Sequence, residues 1–383
     1  SEMVKLPEFI SYLKLRTCYT EVGSPITQTG ITPGTVTDPM SGGVINPIST
    51  YPYPDFKPER TKSYEVGINA RFLNGRISFD GTFYQSNTYN QTFLSVMSPA
   101  TGYSGFYVQA GNVRNRGVEM TLGYNDTFGK VNYSTHLTYT ANQNKIVEMV
   151  HDYRNPIDNS LVNITELTLK EVGDVYLREG YSMSDVFTTG ILQRGRDGKL
   201  VEEGNGYQVD RSQRIRLGSA DPDFTMGWRH DINYKNISLG LMITGRFGGI
   251  VTSQTQAFMD AFGVSKVSAE ARDNGGVMLD GHRYDAERYY NTVGGQGLMS
   301  YYTYDATNVR LQELSLTYSL PKKWLGDVFN NATISFVGRN LFMFYRKAPF
   351  DPDMNGSTGT YNRSDFFMAP SLRNLGFSIK FSL

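Results

Sequence analysis

The chain has 383 residues, with 37 Lys and Arg against 37 Asp and Glu, so its formal net charge is zero. Nucleic-acid-binding proteins usually carry a basic excess, and the balance argues against that class. No run of about 18 apolar residues occurs, which argues against a helical membrane span. The single cysteine, Cys18, excludes an intramolecular disulfide and a multi-cysteine zinc site. The 26 Tyr and 39 Gly residues favour strands and turns over helices.

Apolar and polar residues alternate in many segments, which is the pattern of a β-strand with two different faces. The Asn-Gly pair between the second and third of these segments is a strong hairpin signal. In chain order, the predicted strands lie near Leu13–Thr20, Tyr64–Phe72, Ile77–Tyr84, Val118–Tyr124, Val131–Thr140, Phe224–Tyr234, Ile237–Phe247, Leu314–Tyr318, Ile334–Leu341 and Leu375–Leu383.

Short and long connections alternate strictly along the chain. Short turns are predicted near 73–76, 125–129, 234–236 and 320–331, and long loops near 23–60, 90–113, 147–222, 250–306 and 346–370. Transmembrane β-barrels show this asymmetry, with tight periplasmic turns and long outside loops. The strands of a bacterial barrel that cross the membrane are even in number. The chain has about ten predicted strands, and this number stays even only if 147–222 adds no crossing strand, or an even number of them. We therefore expect the β-like piece Val186–Leu192 to belong to an outside loop.

The two faces of the strands differ in charge. A soluble sandwich would turn the charged face to solvent, whereas a wide barrel would turn it to a hydrated lumen and the apolar face to lipid. The connection asymmetry and the aromatic last strand favour the barrel. The charged-face residues are Glu65, Arg71, Asp80, Glu119, His136, Arg229, Asp231, Arg246 and Lys380.

Several segments resemble those of SusC/RagA-type TonB-dependent transporters, in that family's order and over nearly the whole chain. No single piece is specific, but the ordered set is. The segments are Tyr12–Arg16 with Val22–Gly23, Lys62–Gly67, Asn112–Glu119, Asp221–Gly227, Val309–Leu314 with Tyr318–Pro321, Gly338–Phe342 and Phe350–Asp353.

The resemblance implies an all-β fold, an antiparallel transmembrane barrel of 22 strands in the bacterial outer membrane. Residues 1–383 would be the C-terminal part of that barrel domain, with about ten strands and no plug. The chain begins at Ser1, and we expect a processed product or a fragment. Two open edges in lipid are not viable, so an N-terminal barrel and plug portion would complete it.

The resemblance also implies active import of an oligosaccharide or oligopeptide. The implied partners are a SusD-like surface lipoprotein, the TonB complex acting through the plug, and outer-membrane lipid. A dimer of transporter–lipoprotein pairs is a further implied assembly. We expect no nucleic-acid partner. Two other classes stay open: a ligand-sensing TonB-dependent receptor that signals, and a soluble β-rich adhesin or carbohydrate-binding module.

The motifs of metal sites and enzymes are weak. Asp351–Gly356 matches the first half of a calcium loop, but Asn362 occupies the position where a bidentate Glu is needed. The segment 196–203 lacks the spaced carboxylates that the family often has there. No nucleophile elbow or phosphate-binding loop occurs, and Cys18 has no positioned base in the sequence. We expect no metal, no cofactor and no enzymatic activity.

Aromatic residues in the predicted outside loops are the candidate ligand contacts, because aromatic faces pack on sugar rings and peptide side chains. Their alternative role is packing loops together or meeting the lipoprotein. The candidates are Tyr51, Tyr53, Tyr103, Phe106, Tyr107, Tyr301 and Tyr302. The candidate lumen-lining residues are Glu65, Asn69, Arg71, Glu119, Arg229, Asp231 and Arg246.

Overall fold

The computed structural model describes residues 6–25, 35–38, 44–47, 50–51, 56–154, 160–169, 175–325, 329–353 and 364–382. Ten long strands are hydrogen-bonded neighbours in chain order. They are β1 (Ile10–Ser24), β2 (Glu59–Phe72), β3 (Ile77–Tyr89), β4 (Asn112–Phe128), β5 (Val131–Glu148), β6 (Phe224–Tyr234), β7 (Ile237–Phe247), β8 (Asn308–Ser319), β9 (Asn331–Arg346) and β10 (Asn374–Ser382). The prediction of about ten antiparallel strands is confirmed.

The chain divides into two compact units. The first comprises Ser1–Met183 and Met226–Ser238, and the second Ser184–Thr225 and Leu239–Leu383. The first unit contains β1 to β5 and most of β6, whereas the second contains most of β7 and all of β8 to β10.

In the first unit, strand register brings the apolar positions of neighbouring strands onto one face. Phe79 of β3 lies opposite Ala70 of β2 and Leu122 of β4. Directly opposed residues lie on the same face of a sheet. The apolar positions of the neighbouring strands therefore form one continuous apolar face. The turn after β2 has three successive residues with positive φ, namely Leu73, Asn74 and Gly75. The Asn-Gly signal therefore marks a real tight connection.

Short strands in the loops of the first unit pair with one another and not with the ten long strands. A 3₁₀ turn at Pro99–Thr101 lies between two of them. The short strands are Thr35–Asp38, Val44–Pro47, Thr50–Tyr51, Gln91–Val96, Gly105–Ala110, Val150–Arg154, Leu161–Ile164, Glu166–Thr168 and Tyr176–Arg178.

In the second unit, Phe336 of β9 lies opposite Leu316 of β8 and Phe377 of β10, which fixes the facing of β9 that the sequence left ambiguous. Asn340 interrupts this ladder with a φ of 52°. The pairing with β8 is irregular in the same region, between Leu311 and Glu313, which is the signature of a bulge.

The loops of the second unit also carry short strands. Asp185–Leu192 pairs with Val209–Ser219 in a sheet of its own, so this segment adds no strand to the ten, as expected. The others are Glu202–Glu203, Gly206–Tyr207, Ile250–Ser253, Val277–Leu279, His282–Tyr284, Thr303–Asp305 and Ser364–Asp365.

Three short helices lie in the loops of the second unit, although the composition favours strands and turns. They are α1 (Gln254–Ala261), α2 (Lys266–Asp273) and α3 (Ala286–Val293), with 3₁₀ turns at Met299–Tyr301 and Lys322–Trp324. Helices of this length are marginal in water without tertiary packing. A shared core stabilises them. It contains Ala257 of α1 and Val293 of α3, together with Leu200 and Tyr207 from another loop.

Large apolar side chains remain exposed on the long strands, including Leu15 at 72% and Phe377 at 79% of their surface. Contiguous exposed apolar surface of this kind is unusual in a monomeric soluble protein. Among the residues that the structure describes, no helix has the length and apolarity needed to cross a membrane.

Candidate functional site

Aromatic rings from two long loops of the first unit meet in pairs. The rings of Tyr51 and Tyr103 are 5.0 Å apart in an edge-to-face arrangement, and those of Phe56 and Tyr107 are 5.6 Å apart. Tyr51 also lies beside Phe106 in a short parallel ladder. Four of the predicted ligand-contact residues, called here the aromatic cluster, therefore lie in the same two loops, and all four are half-buried. Tyr107 and Phe56 form a separate pair, because Tyr107 and Phe106 are successive residues of one strand and point to opposite sides. Tyr53 lies outside the described residues.

A single glutamine joins the two loops that form this cluster. The side-chain amide of Gln109 donates to the carbonyl oxygens of Lys57 at 2.8 Å and Asn90 at 3.1 Å. Its Oε1 accepts a hydrogen bond from the Lys57 backbone N–H at 3.0 Å. Gln109 and Phe56 were not predicted from the sequence. Gln109 is one polar residue within an aromatic loop, and Phe56 is one more aromatic residue in a loop. Both features are too common in the sequence to single these residues out.

Tyr301 and Tyr302 lie elsewhere, in the second unit. The Tyr301 hydroxyl accepts a hydrogen bond from the Leu192 backbone N–H at 3.2 Å, and Tyr302 is only 3% exposed within the helical core. Burial and the nearby Asp260 raise the pKa of the Tyr302 hydroxyl well above its usual range. The contacts of both rings are those of loop packing, the alternative role that the sequence left open.

The polar face of the first unit carries a charged bridge over three strands. The Arg16 guanidinium on β1 donates to the Asp80 carboxylate on β3 at 3.0 and 2.6 Å. Asn69 of β2, a predicted lumen-lining residue, donates to the same carboxylate at 2.6 Å. Arg16 passes over Gly67, where a Cβ would lie 2.5 Å from the Arg16 Nε. Gly67 therefore provides the space that the bridge needs.

A second bridge of the same kind spans β3 to β5. The Tyr84 hydroxyl donates to Asn142 Oδ1 at 3.0 Å, and it passes over Gly117, where a Cβ would come within 2.5 Å of that hydroxyl. The predicted residues Glu65 and Glu119 lie on this polar face and are exposed. Glu65 lies opposite Tyr84 in the strand register, and Glu119 lies opposite Thr82.

The remaining predicted lumen residues have local partners. The Arg71 guanidinium lies 5.5 Å from the centre of the Tyr12 ring. Arg229 and Asp231 form a two-point ion pair with both distances at 2.9 Å. In the second unit, Arg246 lies 3.6 Å from the Asp353 carboxylate and donates to the Ala220 carbonyl oxygen. Arg246 is thus part of a loop-anchoring cluster on the second unit.

The half calcium motif binds an arginine. Asp351 Oδ1 lies 2.9 Å and Asp353 Oδ2 lies 2.7 Å from the same Arg310 nitrogen. Burial raises the pKa of the Asp351 carboxyl, but hydrogen bonds from Ser371 and Arg310 outweigh it and place that pKa below 3.8. Within the described residues, no group of three or more His, Cys, Asp or Glu is arranged to hold a metal ion.

An open cavity of about 340 Å³ lies in the second unit, among residues that precede β6 and follow β7. Its carboxylates and backbone oxygens can accept hydrogen bonds from amines or hydroxyl groups. Two of its charged residues also have partners of their own, since Arg216 pairs with Asp185 and Asp305 with Lys347. The lining residues are Arg216, Gly218, Ser219, Asp221, Asp223, Gly248, Gly249, Ile250, Thr303, Tyr304 and Asp305.

The family model described as TonB dependent receptor-like, beta-barrel, matches residues 9–244, more than half of the chain. The chain belongs to this family. TonB-dependent receptor barrels are outer-membrane proteins, and barrels of this kind turn their apolar strand faces to lipid. The sequence prediction of an outer-membrane β-barrel of a TonB-dependent receptor is thereby confirmed.

Two curated proteins of Formosa agariphila are similar to this barrel chain. TonB-dependent receptor P3 is 25% identical over 90% of this chain and 36% of its own length. TonB-dependent receptor P26 is 25% identical over 78% of this chain and 32% of its own length. The chain therefore spans about a third of the length of the curated relatives that it matches.

Solved structures of the RagAB peptide transporter share the fold. One aligns with a TM-score of 0.72 at 16% identity, covering 99% of this chain and 42% of the solved one. The RagAB peptide importer in its "open-open" state aligns with a TM-score of 0.68 at 18% identity, covering all of this chain and 41% of the solved one. At such identities the likeness establishes a partial TonB-dependent barrel fold.

Proposed function

We propose that this chain is part of an active outer-membrane importer of a large nutrient, an oligopeptide or an oligosaccharide. The chain supplies barrel wall, lumen lining and extracellular loops. The rest of the barrel and the plug complete the transporter, a SusD-like lipoprotein covers its outer opening, and the TonB complex supplies energy through the plug. The chain's own residues form and position surfaces, and we assign none of them a catalytic role.

The observation that carries this proposal is the alignment of nearly the whole chain, loops included, with the barrel of a peptide importer. Here the loops are large and contain their own sheets, helices and core. Large ordered loops suit the capture of an extended ligand because they offer a wide preformed surface.

Two surfaces of the chain would act on the ligand in sequence. The aromatic cluster of Tyr51, Tyr103, Phe106 and Tyr107 would contact it outside the membrane, since these half-exposed rings are held by their neighbours and lose little freedom on binding. The polar strand faces, with Glu65, Asn69, Arg71 and Glu119 in the first unit, would line its path. Hydroxyl, amide and carboxylate groups there can exchange hydrogen bonds with a passing ligand.

Uptake by intact cells tests the proposal. Cells with and without the receptor gene receive fluorescent oligopeptides or oligosaccharides of graded length, and a third strain keeps the receptor but lacks TonB. We expect accumulation of one ligand class only when receptor and TonB are both present. Equal accumulation in all three strains would exclude import by this receptor.

The same strains separate the two alternative functions. A signalling receptor would bind ligand and change transcription without TonB-dependent accumulation of the ligand. A soluble adhesin or carbohydrate-binding module would leave the membrane fraction in water or high salt, without detergent. Import predicts that the protein needs detergent for extraction and that ligand accumulates inside the cell.

A further inference from the structure

Three segments that carry the family resemblance have no role in ligand contact or lumen lining as described so far. They are Val309–Leu314 on β8, Gly338–Phe342 on β9 and Phe350–Asp353 in the loop before β10. In the second unit all three meet at the side chain of Arg310. Residues far apart in the chain thus form one polar cluster, named here the Arg310 hub: Asn308, Arg310, Asn340, Asp351 and Asp353.

Arg310 is almost completely buried and is bonded on every side of its guanidinium. Nη2 contacts both Asp351 and Asp353, Nε donates to Asn308 Oδ1 at 3.2 Å, and Nη1 donates to Asn340 Oδ1 at 3.4 Å. Its side chain is 7% exposed. A charge buried this deeply is tolerated only with such partners, so the hub has one favourable arrangement and resists partial displacement.

The hub also reaches the segment that leads into the last strand. Asn340 donates from Nδ2 to the Leu372 carbonyl oxygen at 3.4 Å. The Ser371 hydroxyl bonds the Asp351 carboxylate. β10 begins two residues after Leu372, at Asn374. Two independent links therefore connect the Arg310 hub to the residues just before the start of β10.

We propose that the Arg310 hub sets the register of β10 against β9. This pair needs such a device because the long connection 347–373 joins the two strands. In a tight hairpin the turn itself fixes the register, as the Leu73–Arg76 turn does for β2 and β3. A long connection supplies no comparable constraint, whereas a fixed contact point next to the first paired residue does.

Side-chain alternation alone cannot fix this register. A slip by one residue would move Leu375, Phe377 and Ile379 to the polar face, so the apolar pattern excludes it. A slip by two residues keeps every apolar side chain on its own face and loses only end pairing. The hub distinguishes these cases because Leu372 and Ser371 can meet Asn340 and Asp351 in one register only.

Disulfide trapping in the assembled receptor tests this register. Cys18 is first replaced by serine, so that only introduced cysteines react. Ser335 and Ser378 are directly opposed, and S335C with S378C reports the observed register. S335C with K380C, or with G376C, reports slips by two residues in either direction. We expect efficient trapping of the first pair and little of the other two.

The triple variant R310M/D351N/D353N removes the three charges of the hub together, so none of the three is left unpaired, and Arg246, which loses Asp353, keeps its bond to the Ala220 carbonyl oxygen. We expect the in-register disulfide to fall several-fold and an off-register disulfide to rise by a similar factor. General destabilisation would lower all cross-links together and would not create a new one. An unchanged in-register yield with no off-register product would overturn the proposal.

A matched control and a second variant complete the test. R339A removes the exposed ion pair between Arg339 and Glu313, at 2.9 Å and also between β8 and β9, and should leave the cross-links unchanged. N340G with S371A keeps the backbone conformation and all charges of the hub but loses both links to the start of β10. Should the triple variant not assemble, N340G/S371A decides: off-register product supports the proposal, and its absence refutes it.

Discussion

Arg16 and Asp80 form a two-point ion pair although an entire strand, β2, separates the strands that carry them. The arginine side chain lies flat over Gly67 of the middle strand. Tyr84 and Asn142 repeat this arrangement over Gly117. A glycine on the polar face thus lets a long side chain bond the second strand along, which ties strands together beyond their backbone ladder.

The Gly67 position predicts the effect of adding a methyl group. In G67A the new Cβ would occupy the place of the Arg16 Nε, so the guanidinium must leave Asp80. We expect G67A to have a lower melting temperature in detergent than the natural protein. Added salt should lower the melting temperature of the variant by less, because its ion pair is already lost. The matched control is G376A, since a Cβ at Gly376 meets nothing within 4 Å. Equal melting of the two variants would contradict the bridge.

The Gly117 position has a stricter constraint, because backbone is also in the way. A Cβ there would lie 2.5 Å from both the Ala141 carbonyl oxygen and the Tyr84 hydroxyl. Since the Ala141 backbone is held in the ladder, G117A should destabilise the protein by about 1–3 kcal/mol, the usual range for overpacking. Y84F, which removes only the hydroxyl bond to Asn142, should cost less. Chemical unfolding in detergent measures both, and a larger effect of Y84F would be inconsistent with the steric argument.

Asp351 gives a pH dependence with a defined sign. Burial raises its pKa, but the bonds from Ser371 and Arg310 bring it below the ordinary 3.8 in the folded state. A depressed carboxyl pKa contributes stability above the unfolded value and loses it as the pH falls through the folded value. We expect D351N to be less stable than the natural protein near neutral pH, by less than the ~3–5 kcal/mol of a fully broken buried pair, because Asp353 still pairs with Arg310.

That difference between D351N and the natural protein should begin to shrink as the pH falls below 3.8, because the unfolded chain then binds a proton at Asp351 that the folded chain, with its lowered pKa, does not yet bind. Unfolding midpoints from pH 7 down to about pH 3 measure it. D273N, at the exposed end of α2, serves as the control and should show no such trend. A difference that stays constant through the acid range would rule out the charged pair as its cause.

Much of this fold follows from local patterns, because alternation and turn chemistry are short-range signals. Period-2 alternation located the ten strands, and the Asn-Gly turn and the connection lengths indicated the order of crossings. The register confirms the predicted faces at positions such as Phe79 and Leu122. The family resemblance of the sequence also indicated the barrel class.

The helices and the Arg310 hub could not be predicted, because both depend on contacts between distant residues. α1 to α3 are short helices that depend on a core shared with Tyr207 from another loop. Such helices are stabilised by tertiary packing, which their own local sequences do not reveal. Arg310 and Asp351 are 41 positions apart. Nothing in either motif indicates the other, and the half calcium motif, which lacks the Glu that calcium needs, indicates an ordinary loop.

Loop tyrosines should divide into two functional groups. Tyr302 is 3% exposed, so Y302A should destabilise the protein by about 3–5 kcal/mol, as truncation of a core aromatic does. Y103A removes a half-exposed ring that pairs with Tyr51, and should leave the melting temperature nearly unchanged while it lowers ligand uptake. Melting and uptake are measured on both variants. Normal uptake by Y103A, or by Y51A, would remove this cluster from the proposed ligand path.

The facing of the strands can be tested directly by labelling single cysteines in the C18S background. Ile68 and Leu122 lie on the apolar face, whereas Asn69 and Glu119 lie on the polar face next to them in sequence or register. In intact outer membranes a water-soluble maleimide should react with N69C and E119C, and a lipid-soluble probe with I68C and L122C. Each pair is its own control, because the two residues share a strand and nearly the same depth. The opposite labelling pattern would mean that the apolar face lines the lumen, and the assignment of lumen residues would then be wrong.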